Sequence, residues 1–305
     1  MKNKIETIAI FLFLSLFSIV TIYPVLNILG VSLRTDNAFQ SRSISIIQIG
    51  EEYTDTNNNG EWNYTEPFND SNNNGKRDAG SSLKSYFNLF TKTDFLLWIK
   101  NSIFVSFLVT LTGVVFASIG GYALSRFKFR GRQFGMVTLL TTQMFPATML
   151  LLPFFILLSY LELINSYIGL IIIYSSTALP FCIWQMKGYY DTIPPSLEES
   201  ARLDGCTRVQ AFYKVILPLS SPALVITALF SFMASWSEYV VAAIILQDPK
   251  LYTLPLGLKS FQASLSTQWG LYAAGAVVVS IPVTILFISL SKFLVSGLTM
   301  GSVKE

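Results

Sequence analysis

Long apolar runs are the feature that most restricts how this 305-residue chain can fold. About 20 apolar residues in a helix, rising about 1.5 Å each, cross a hydrocarbon core of about 30 Å. Apolar residues make up 52% of the chain and charged residues only 13%, so several runs reach that length. We therefore predict an all-α, polytopic membrane protein with six transmembrane helices, at residues 5–32, 101–125, 134–160, 166–187, 219–246 and 270–295.

The distribution of Lys and Arg predicts the orientation of these helices in the cell membrane. Four cations lie between positions 126 and 132, after the second predicted helix, and Lys2 and Lys4 precede the first. The short loop around Glu162 contains none. Because Lys and Arg are enriched in cytoplasmic loops, both termini and the loop 188–218 are predicted to be cytoplasmic. The first helix is predicted to stay uncleaved, since its apolar run exceeds a signal-peptide core and no A-x-A site follows.

The loop between the fourth and fifth predicted helices has the pattern of a polar helix-turn-helix. Pro194 and Pro195 suit a helix entrance, because proline has a fixed φ and its missing N–H is not needed there. Glu198 and Glu199 then lie in the first turn, where a carboxylate meets the positive end of the helix dipole. Gly205 is predicted to end this helix in a left-handed conformation.

A second short helix is predicted directly after this glycine. Thr207 and Gln210 have the spacing of a capping box, which begins a helix. Apolar residues then recur at i, i+3, i+4 and i+7, which predicts a stripe with two aromatic rings: Val209, Phe212, Tyr213 and Ile216. Such a stripe must be buried, either against the chain's own helix ends or against a partner protein.

The chain lacks the histidine that many hydrolases and metal-dependent enzymes use. It contains no histidine, which excludes imidazole acid-base chemistry and histidine metal ligation. Cys182 and Cys206 cannot form a CxxC site, and both are interpreted as packing residues. No G-x-x-x-x-G-K-[ST] loop is present to hold a phosphate. We therefore predict that the chain is not an enzyme, and that another subunit would have to bind any ATP. The net charge of +3 is spread over loops and indicates no nucleic-acid partner.

One motif in the polar loop resembles that of a known family. Glu199-Ser200-Ala201 is followed after three residues by Gly205, and after nine more by Val215-Ile216-Leu217-Pro218. This spacing resembles the EAA loop of ATP-binding-cassette importer permeases, the coupling helix that fits a cleft on the ATPase subunit. Ser200 replaces the first alanine of the pattern and Val215 its isoleucine, and neither change alters the helix-glycine-helix geometry. The resemblance implies these ATPase-coupling residues: Glu198, Glu199, Ser200, Ala201, Asp204, Gly205, Phe212, Leu217 and Pro218.

Further segments extend the resemblance over almost the whole chain outside the first large loop. They are similar to the second permease subunit of maltose/maltodextrin importers: QMFPATMLLLP at 143–153, YTLPLGLKSFQ at 252–262 and GLTMGSVKE at 297–305. The resemblance implies an oligosaccharide cargo of the maltose/maltodextrin or trehalose kind, with a sugar phosphate or polyol as the alternative. It also implies three kinds of protein partner besides the lipid bilayer: a homologous second permease, an ATPase dimer that binds ATP, and an extracytoplasmic sugar-binding protein.

With this resemblance, the chain is divided into four parts. Residues 1–33 form the first transmembrane helix, and residues 34–100 form an extracytoplasmic loop with an insert at 55–81. Residues 101–296 form the permease domain, including the coupling loop at 188–218. Residues 297–305 form a cytoplasmic tail, which in the family reaches the ATPase dimer interface, whereas 252–262 meets the sugar-binding protein.

Polar residues inside the predicted helices are candidates for a translocation path, because a polar group in lipid costs a few kcal/mol and therefore faces a bundle interior or a water-filled route. Glu238 lies in the fifth predicted helix beside Trp236, and this pair could hydrogen-bond and stack on a sugar. Gln143 precedes Pro146, which must interrupt the helical hydrogen bonds. For each polar residue, a structural hydrogen bond to another helix is the alternative.

The large loop after the first helix contains two candidate calcium-binding segments. The first fits the twelve-residue pattern D-x-[DN]-x-[DN]-G-x5-E, in which alternate side chains point at one cation and the glycine permits a sharp turn. The second has Ser81 in place of the final glutamate. We predict a structural Ca²⁺ there, held by Asp55, Asn57, Asn59, Glu61 and Glu66 in the first segment and Asp70, Asn72, Asn74, Lys76 and Asp78 in the second. A metal-free Asn/Asp turn cluster is the alternative.

Two other functional classes remain open. An ion-coupled secondary transporter or channel would use Glu238 as an ion or proton site and would need no ATPase. A membrane scaffold or receptor would depend on the calcium-binding loop, so that deletion of the insert would abolish its function.

Overall fold

The structure, a computed structural model, describes residues 2–34, 50–57, 62, 64–70, 75, 77, 80–262 and 267–300. In these residues the chain is helical, with isolated antiparallel bridges and no strand, so the all-α prediction is confirmed. The helices are α1 (Lys2–Ser32), α2 (Lys84–Lys92), α3 (Phe95–Arg126), α4 (Arg132–Thr142), α5 (Leu151–Tyr160), α6 (Tyr167–Thr192), α7 (Ser196–Leu203), α8 (Arg208–Ala211), α9 (Leu217–Leu219), α10 (Ser221–Trp236), α11 (Val240–Ile245), α12 (Leu254–Ser260) and α13 (Trp269–Met300).

The six predicted membrane-spanning helices are only partly confirmed. Within the described residues, four helices are long and apolar enough to cross a bilayer: Glu6–Ser32, Phe95–Arg126, Tyr167–Thr192 and Trp269–Ser291. A fifth span results if Arg208–Leu219 and Ser221–Trp236, which meet at a bend of 77°, are counted as one. The chain is therefore an integral membrane protein with four or five spans by this measure.

The third predicted helix, residues 134–160, is interrupted in the structure. Its first half, α4, ends at Thr142, and α5 begins only at Leu151 after a 3-10 turn, Ala147–Leu150. Pro146 lies in the interruption in an extended conformation, with ψ of 128°. Because proline lacks an N–H and disfavours helical geometry in the preceding residue, neither half reaches the length of a span.

The fifth predicted helix, residues 219–246, is also divided. It consists of α10 and the short α11, and the chain leaves helical geometry around Tyr239, which has φ of −125°. The break places Glu238 at a helix start instead of the middle of a continuous span.

By contact density the chain forms two compact units, Met1–Phe95 with Leu258–Ile281, and Leu96–Gly257 with Pro282–Glu305. In the first unit, the Ser32 and Tyr86 hydroxyls lie 2.8 Å apart, and Arg34 pairs with Ser81 in an antiparallel bridge. These contacts hold the end of α1 next to the start of α2.

The second unit is built on the contact of α6 with α10 and α3. A methyl group added to Gly113 would lie 2.3 Å from Ser231 Oγ, and one added to Gly121 would lie 2.8 Å from Met186 Cβ. The backbone of α3 therefore lies close to α10 at Gly113 and to α6 at Gly121, where a Cβ would require its neighbours to shift.

Candidate functional site

The predicted helix-turn-helix is present at residues 194–218, and we refer to this segment as the module. Its first helix, α7, has Glu198 and Glu199 in the first turn. Gly205 has φ of +89°, as predicted, and a Schellman motif closes α7: Cys206 N–H donates to Ala201 O at 3.0 Å and Gly205 N–H to Arg202 O at 3.1 Å.

The capping box that begins α8 is also confirmed. Gln210 N–H donates to Thr207 Oγ1 at 3.2 Å, and Thr207 N–H donates to Gln210 Oε1 at 2.9 Å. Both bonds satisfy N–H groups that a helix start leaves without intrahelical partners. The turn between α7 and α8 is therefore held by local chemistry.

The predicted apolar stripe of the module occupies two faces in the structure. Phe212 and Ile216 are buried, whereas Val209 and Tyr213 are 65% and 57% exposed. After Ala211 the chain enters a π-helix, Phe212–Ile216, in which Leu217 N–H donates to Phe212 O. Both burial partners considered for the stripe therefore remain relevant: half of it packs on this chain, and half is free to meet another molecule.

The inner face of the module packs on α3 and α6. Phe212 lies 4.6 Å from Tyr122 between ring centroids, and Tyr122 lies 5.9 Å from Tyr190. These rings join a buried cluster that includes Ala117, Met186 and Ile216. The module is thus fastened to the membrane helices by an apolar contact.

Glu198 adds a polar contact on the same side. The Tyr122 hydroxyl donates to Glu198 Oε2 at 2.8 Å, and Arg126 Nε forms an ion pair with Glu198 Oε1. Arg126 Nη2 also donates to Ile193 O at 2.8 Å. Sequence reasoning treated Arg126 only as an orientation signal and did not select Tyr122, because neither has a motif that reveals a partner about 70 residues away.

The outer face of the module is charged and open. A concave surface on it is lined by Glu199, Arg202, Leu203, Cys206, Thr207 and Arg208. Among these residues, Leu203 is a large apolar side chain that is 89% exposed. Of the other predicted coupling residues, Ser200, Asp204, Gly205 and Pro218 are exposed, Leu217 is half-buried, and Ala201 and Phe212 are buried. The nine predicted residues therefore divide between an outer and an inner face.

The three predicted path residues have different environments. Glu238 accepts hydrogen bonds from the Tyr174 hydroxyl at 2.6 Å, from Val241 N–H at 3.0 Å and from Ala242 N–H at 3.3 Å, so it caps α11. Trp236 is buried and stacks on Phe232, with ring centroids 5.2 Å apart.

Gln143 is exposed, and its Nε2 donates to Thr177 O at 3.1 Å. Thr177 and Tyr174 are three positions apart on α6, so they are neighbours on one helix surface. Gln143 and Glu238 therefore both bond to α6, at residues three positions apart, whereas Trp236 is buried.

The loop that follows α11 is held by side chains from distant parts of the second unit. Asn165 Oδ1 accepts from Gln247 and Asp248 N–H at 2.9 and 3.0 Å, and Asn101 Nδ2 donates to Lys250 O and Tyr252 O, both at 2.9 Å. Two further bonds join Trp98 Nε1 to Pro249 O at 3.2 Å and Leu254 N–H to Ser102 Oγ at 2.6 Å. Sequence reasoning identified part of this loop but none of the residues that hold it.

The insert in the first large loop is only partly described. Thr54 N–H donates to Pro67 O at 3.0 Å and Asn69 N–H to Glu52 O at 2.9 Å around the Tyr53–Phe68 bridge. This pairing brings together the two ends of the first predicted calcium segment. Glu66 Oε1 accepts from the N–H and the hydroxyl of Thr56 at 3.1 and 3.2 Å.

In the second segment, Gly75 has φ of +72° and its N–H donates to Asp70 Oδ2 at 2.7 Å. Six of the predicted ligands lie outside the described residues: Asn59, Glu61, Asn72, Asn74, Lys76 and Asp78. Calcium binding therefore stays a prediction.

Comparison with known proteins identifies the family to which the chain is similar. Residues 91–299 match the family of binding-protein-dependent transport system inner membrane components. The chain is 32% identical, over 100% of its length and 97% of the relative, to the maltodextrin transport system permease protein MdxG of Bacillus subtilis. It is 36% identical, over 72% of its length and 80% of the relative, to the diacetylchitobiose uptake system permease protein DasC of Streptomyces coelicolor.

Among solved structures, a bacterial ABC transporter involved in the import of the acidic polysaccharide alginate contains a chain with the same fold. The TM-score is 0.75 at 24% identity, covering 96% of this chain and 97% of that one.

Proposed function

Because this chain belongs to the family of binding-protein-dependent transport system inner membrane components, we propose that it carries an oligosaccharide across the cell membrane within an ATP-binding-cassette importer. It is an integral membrane permease of the sugar-importing type and not an enzyme. The observation that best supports the proposal is the two-sided module, which leaves an outer face open while its inner face packs on α3 and α6. Such an element can receive a separate protein and pass its movement to membrane helices.

The proposed source of energy is an ATPase dimer that docks on the outer face of the module. Glu199, Arg202 and Arg208 provide charges of both signs there, and Leu203 provides an exposed apolar anchor. Mixed charge around an apolar centre suits a protein interface. The excess of Lys and Arg between positions 126 and 132 supports a cytoplasmic location for this face. A homologous second permease is proposed to complete the translocation path.

Residues 252–262, together with the loop 247–252 that leads into them, are proposed to meet a sugar-binding protein on the opposite side of the membrane. The backbone of this loop is held by Asn101, Asn165 and Trp98, so it keeps one conformation before a partner arrives. Preorganisation of this kind reduces the entropy lost on binding.

The proposed cargo is an oligosaccharide of the maltodextrin kind. Similarity to MdxG over the full length supports this class, and DasC shares the oligosaccharide chemistry. Gln143 and Glu238 are proposed to lie beside the path, where their polar atoms suit sugar hydroxyls. Trp236 packs on Phe232 and would position the helix break.

Uptake by the purified assembly tests this function. The tagged chain is isolated from its own membranes, its partners are identified by mass spectrometry, and the complex is placed in proteoliposomes with labelled maltodextrin. We expect an ATPase and a second permease to co-purify, and uptake to require ATP. A folded chain that repeatedly comes without an ATPase would contradict the proposal and would favour the ion-coupled alternative.

A structural Ca²⁺ in the insert is proposed as a separate feature. The match of Asp55, Asn57 and Glu66 to the twelve-residue calcium pattern supports it, as does the backbone pairing that closes this segment. The ion would hold the insert in one conformation and would take no part in the transport cycle itself.

A further inference from the structure

Two adjacent glutamates of α7 face in different directions. Glu199 is exposed and lines the outer surface of the module, whereas the side chain of Glu198 is only 14% exposed and faces α3. Neighbouring residues of a helix with 3.6 residues per turn are about 100° apart, so one can meet a partner protein while the next meets the helix behind it. The two carboxylates can therefore have separate roles, Glu199 towards a partner protein and Glu198 towards α3.

Both oxygens of Glu198 are engaged by α3. Oε2 accepts from the Tyr122 hydroxyl at 2.8 Å, and Oε1 pairs with Arg126, whose side chain is 13% exposed. Charge-assisted bonds of this kind are stronger and more directional than bonds between neutral groups. Arg126 also donates to Ile193 O, directly after α6. One guanidinium thus joins the ends of α3 and α6 to the first turn of α7.

We propose that Glu198, Arg126 and Tyr122 form an interhelical clamp that passes movement of the module to α3, and that Glu198 is a positioning residue rather than an ATPase contact. The inference rests on the proposed function, because it concerns how a docked ATPase would drive the membrane helices. The clamp fixes the angle between α7 and α3. Without the clamp, the module would remain attached by its aromatic contact, but it would rotate relative to α3 without moving that helix.

The structure also indicates why loss of the clamp should leave the fold intact. Phe212 packs 4.6 Å from Tyr122, and both rings belong with Ile216 to one apolar cluster, so this contact remains when Glu198 loses its charge. Glu198→Gln keeps the shape of the side chain and removes only its charge. Tyr122→Phe is milder still, because it removes one hydroxyl and keeps the ring that contacts Phe212.

The test uses the complete transporter in proteoliposomes. The variants are Glu198→Gln, Tyr122→Phe and the double variant Glu198→Gln with Arg126→Gln. Glu199→Gln, on the outer face of the module, is the reference for a lost ATPase contact. Lys92→Gln is the control, since it likewise removes one charge but lies exposed at the end of α2, in the first compact unit. Three quantities are measured for each: ATPase co-purification, ATP hydrolysis and sugar transported per ATP hydrolysed.

We expect Glu198→Gln to retain the ATPase but to lower sugar transported per ATP about tenfold, within the range of coupling between distinct sites. Tyr122→Phe should give a smaller loss of the same kind, and the double variant a loss at least as large as that of Glu198→Gln, because Arg126→Gln also removes the bond to Ile193 O. Lys92→Gln should match the wild type.

Two results would overturn the clamp: unchanged transport per ATP in Glu198→Gln, or a loss of ATPase binding equal to that of Glu199→Gln. A wild-type chain that binds no ATPase would instead overturn the proposed function, and the clamp with it. The two failures are therefore distinguishable.

Discussion

The Tyr174 hydroxyl donates a 2.6 Å hydrogen bond to the carboxylate of Glu238, 64 residues away in the chain. Glu238 also accepts two backbone N–H groups of α11, so one carboxylate both starts this helix and joins it to α6. Both oxygens of a polar side chain inside a membrane protein are thereby satisfied by donors.

Replacement of Glu238 should reveal this capping role. Glu238→Ala removes all three acceptor contacts and should cost about 1–3 kcal/mol of stability, because buried donors lose their partner. Glu238→Gln keeps one acceptor oxygen and should cost less. Thermal unfolding of the solubilised complex measures both, and an Ala variant as stable as the wild type would refute the cap.

Gly205→Val should separate ATP hydrolysis from transport. The φ of +89° at this position strains a β-branched residue by about 1–3 kcal/mol, so the turn would shift and α8 would be displaced. Gly205→Asn is the control, because asparagine tolerates a left-handed backbone better. Sugar uptake per ATP is the measurement, and normal coupling in the valine variant would contradict a role for this turn.

Tyr190→Phe should leave stability unchanged or raise it by about 1 kcal/mol. Tyr190 is fully buried, and its hydroxyl has no hydrogen-bond partner among the described residues. Removing that hydroxyl removes the free-energy cost of burying a polar group without a hydrogen bond. The ring keeps its contacts with Tyr122 and Phe212. A lower unfolding temperature than that of the wild type would show that the hydroxyl has a partner after all.

Gly113→Ala should destabilise the contact of α3 with α10 by about 1–3 kcal/mol, because the added methyl would lie 2.3 Å from Ser231 Oγ. Gly135→Ala is the matched control: a Cβ there meets nothing within 4 Å, and alanine favours a helix by up to about 1 kcal/mol. Unfolding temperatures of the two variants should move in opposite directions. Equal shifts would contradict the close approach of the two helices.

Calcium should protect the insert from proteolysis in the intact protein. Asp55→Asn and Glu66→Gln each weaken a carboxylate ligand of the predicted site and should raise the calcium concentration needed for protection at least about tenfold. Terbium luminescence excited through Trp62 gives a second measurement. Lys84→Gln, outside the insert, is the control, and equal protection of all variants would favour a metal-free turn cluster.

The course of the chain inside the membrane was predicted less well than its class. Pro146 was recognised as a helix-breaking residue, yet residues 134–160 were still predicted as one span, although α4 and α5 are separate helices. The break around Glu238 was missed, because residues 219–246 read as one apolar run. Hydropathy is averaged over a window of residues, so it does not show where the backbone hydrogen bonds of a helix are interrupted.

The sequence by itself determined the membrane class, the all-α fold and the local geometry of the module. The left-handed Gly205 and the Thr207–Gln210 capping box depend on residues within a few positions of one another, so their chemistry is readable along the chain. Only the tertiary structure decided that Glu198 meets Arg126 while Glu199 stays exposed, and that Trp236 is buried. Those outcomes depend on how α3, α6 and α10 pack. Packing brings together residues that are far apart in the sequence, and no local sequence pattern indicates such contacts.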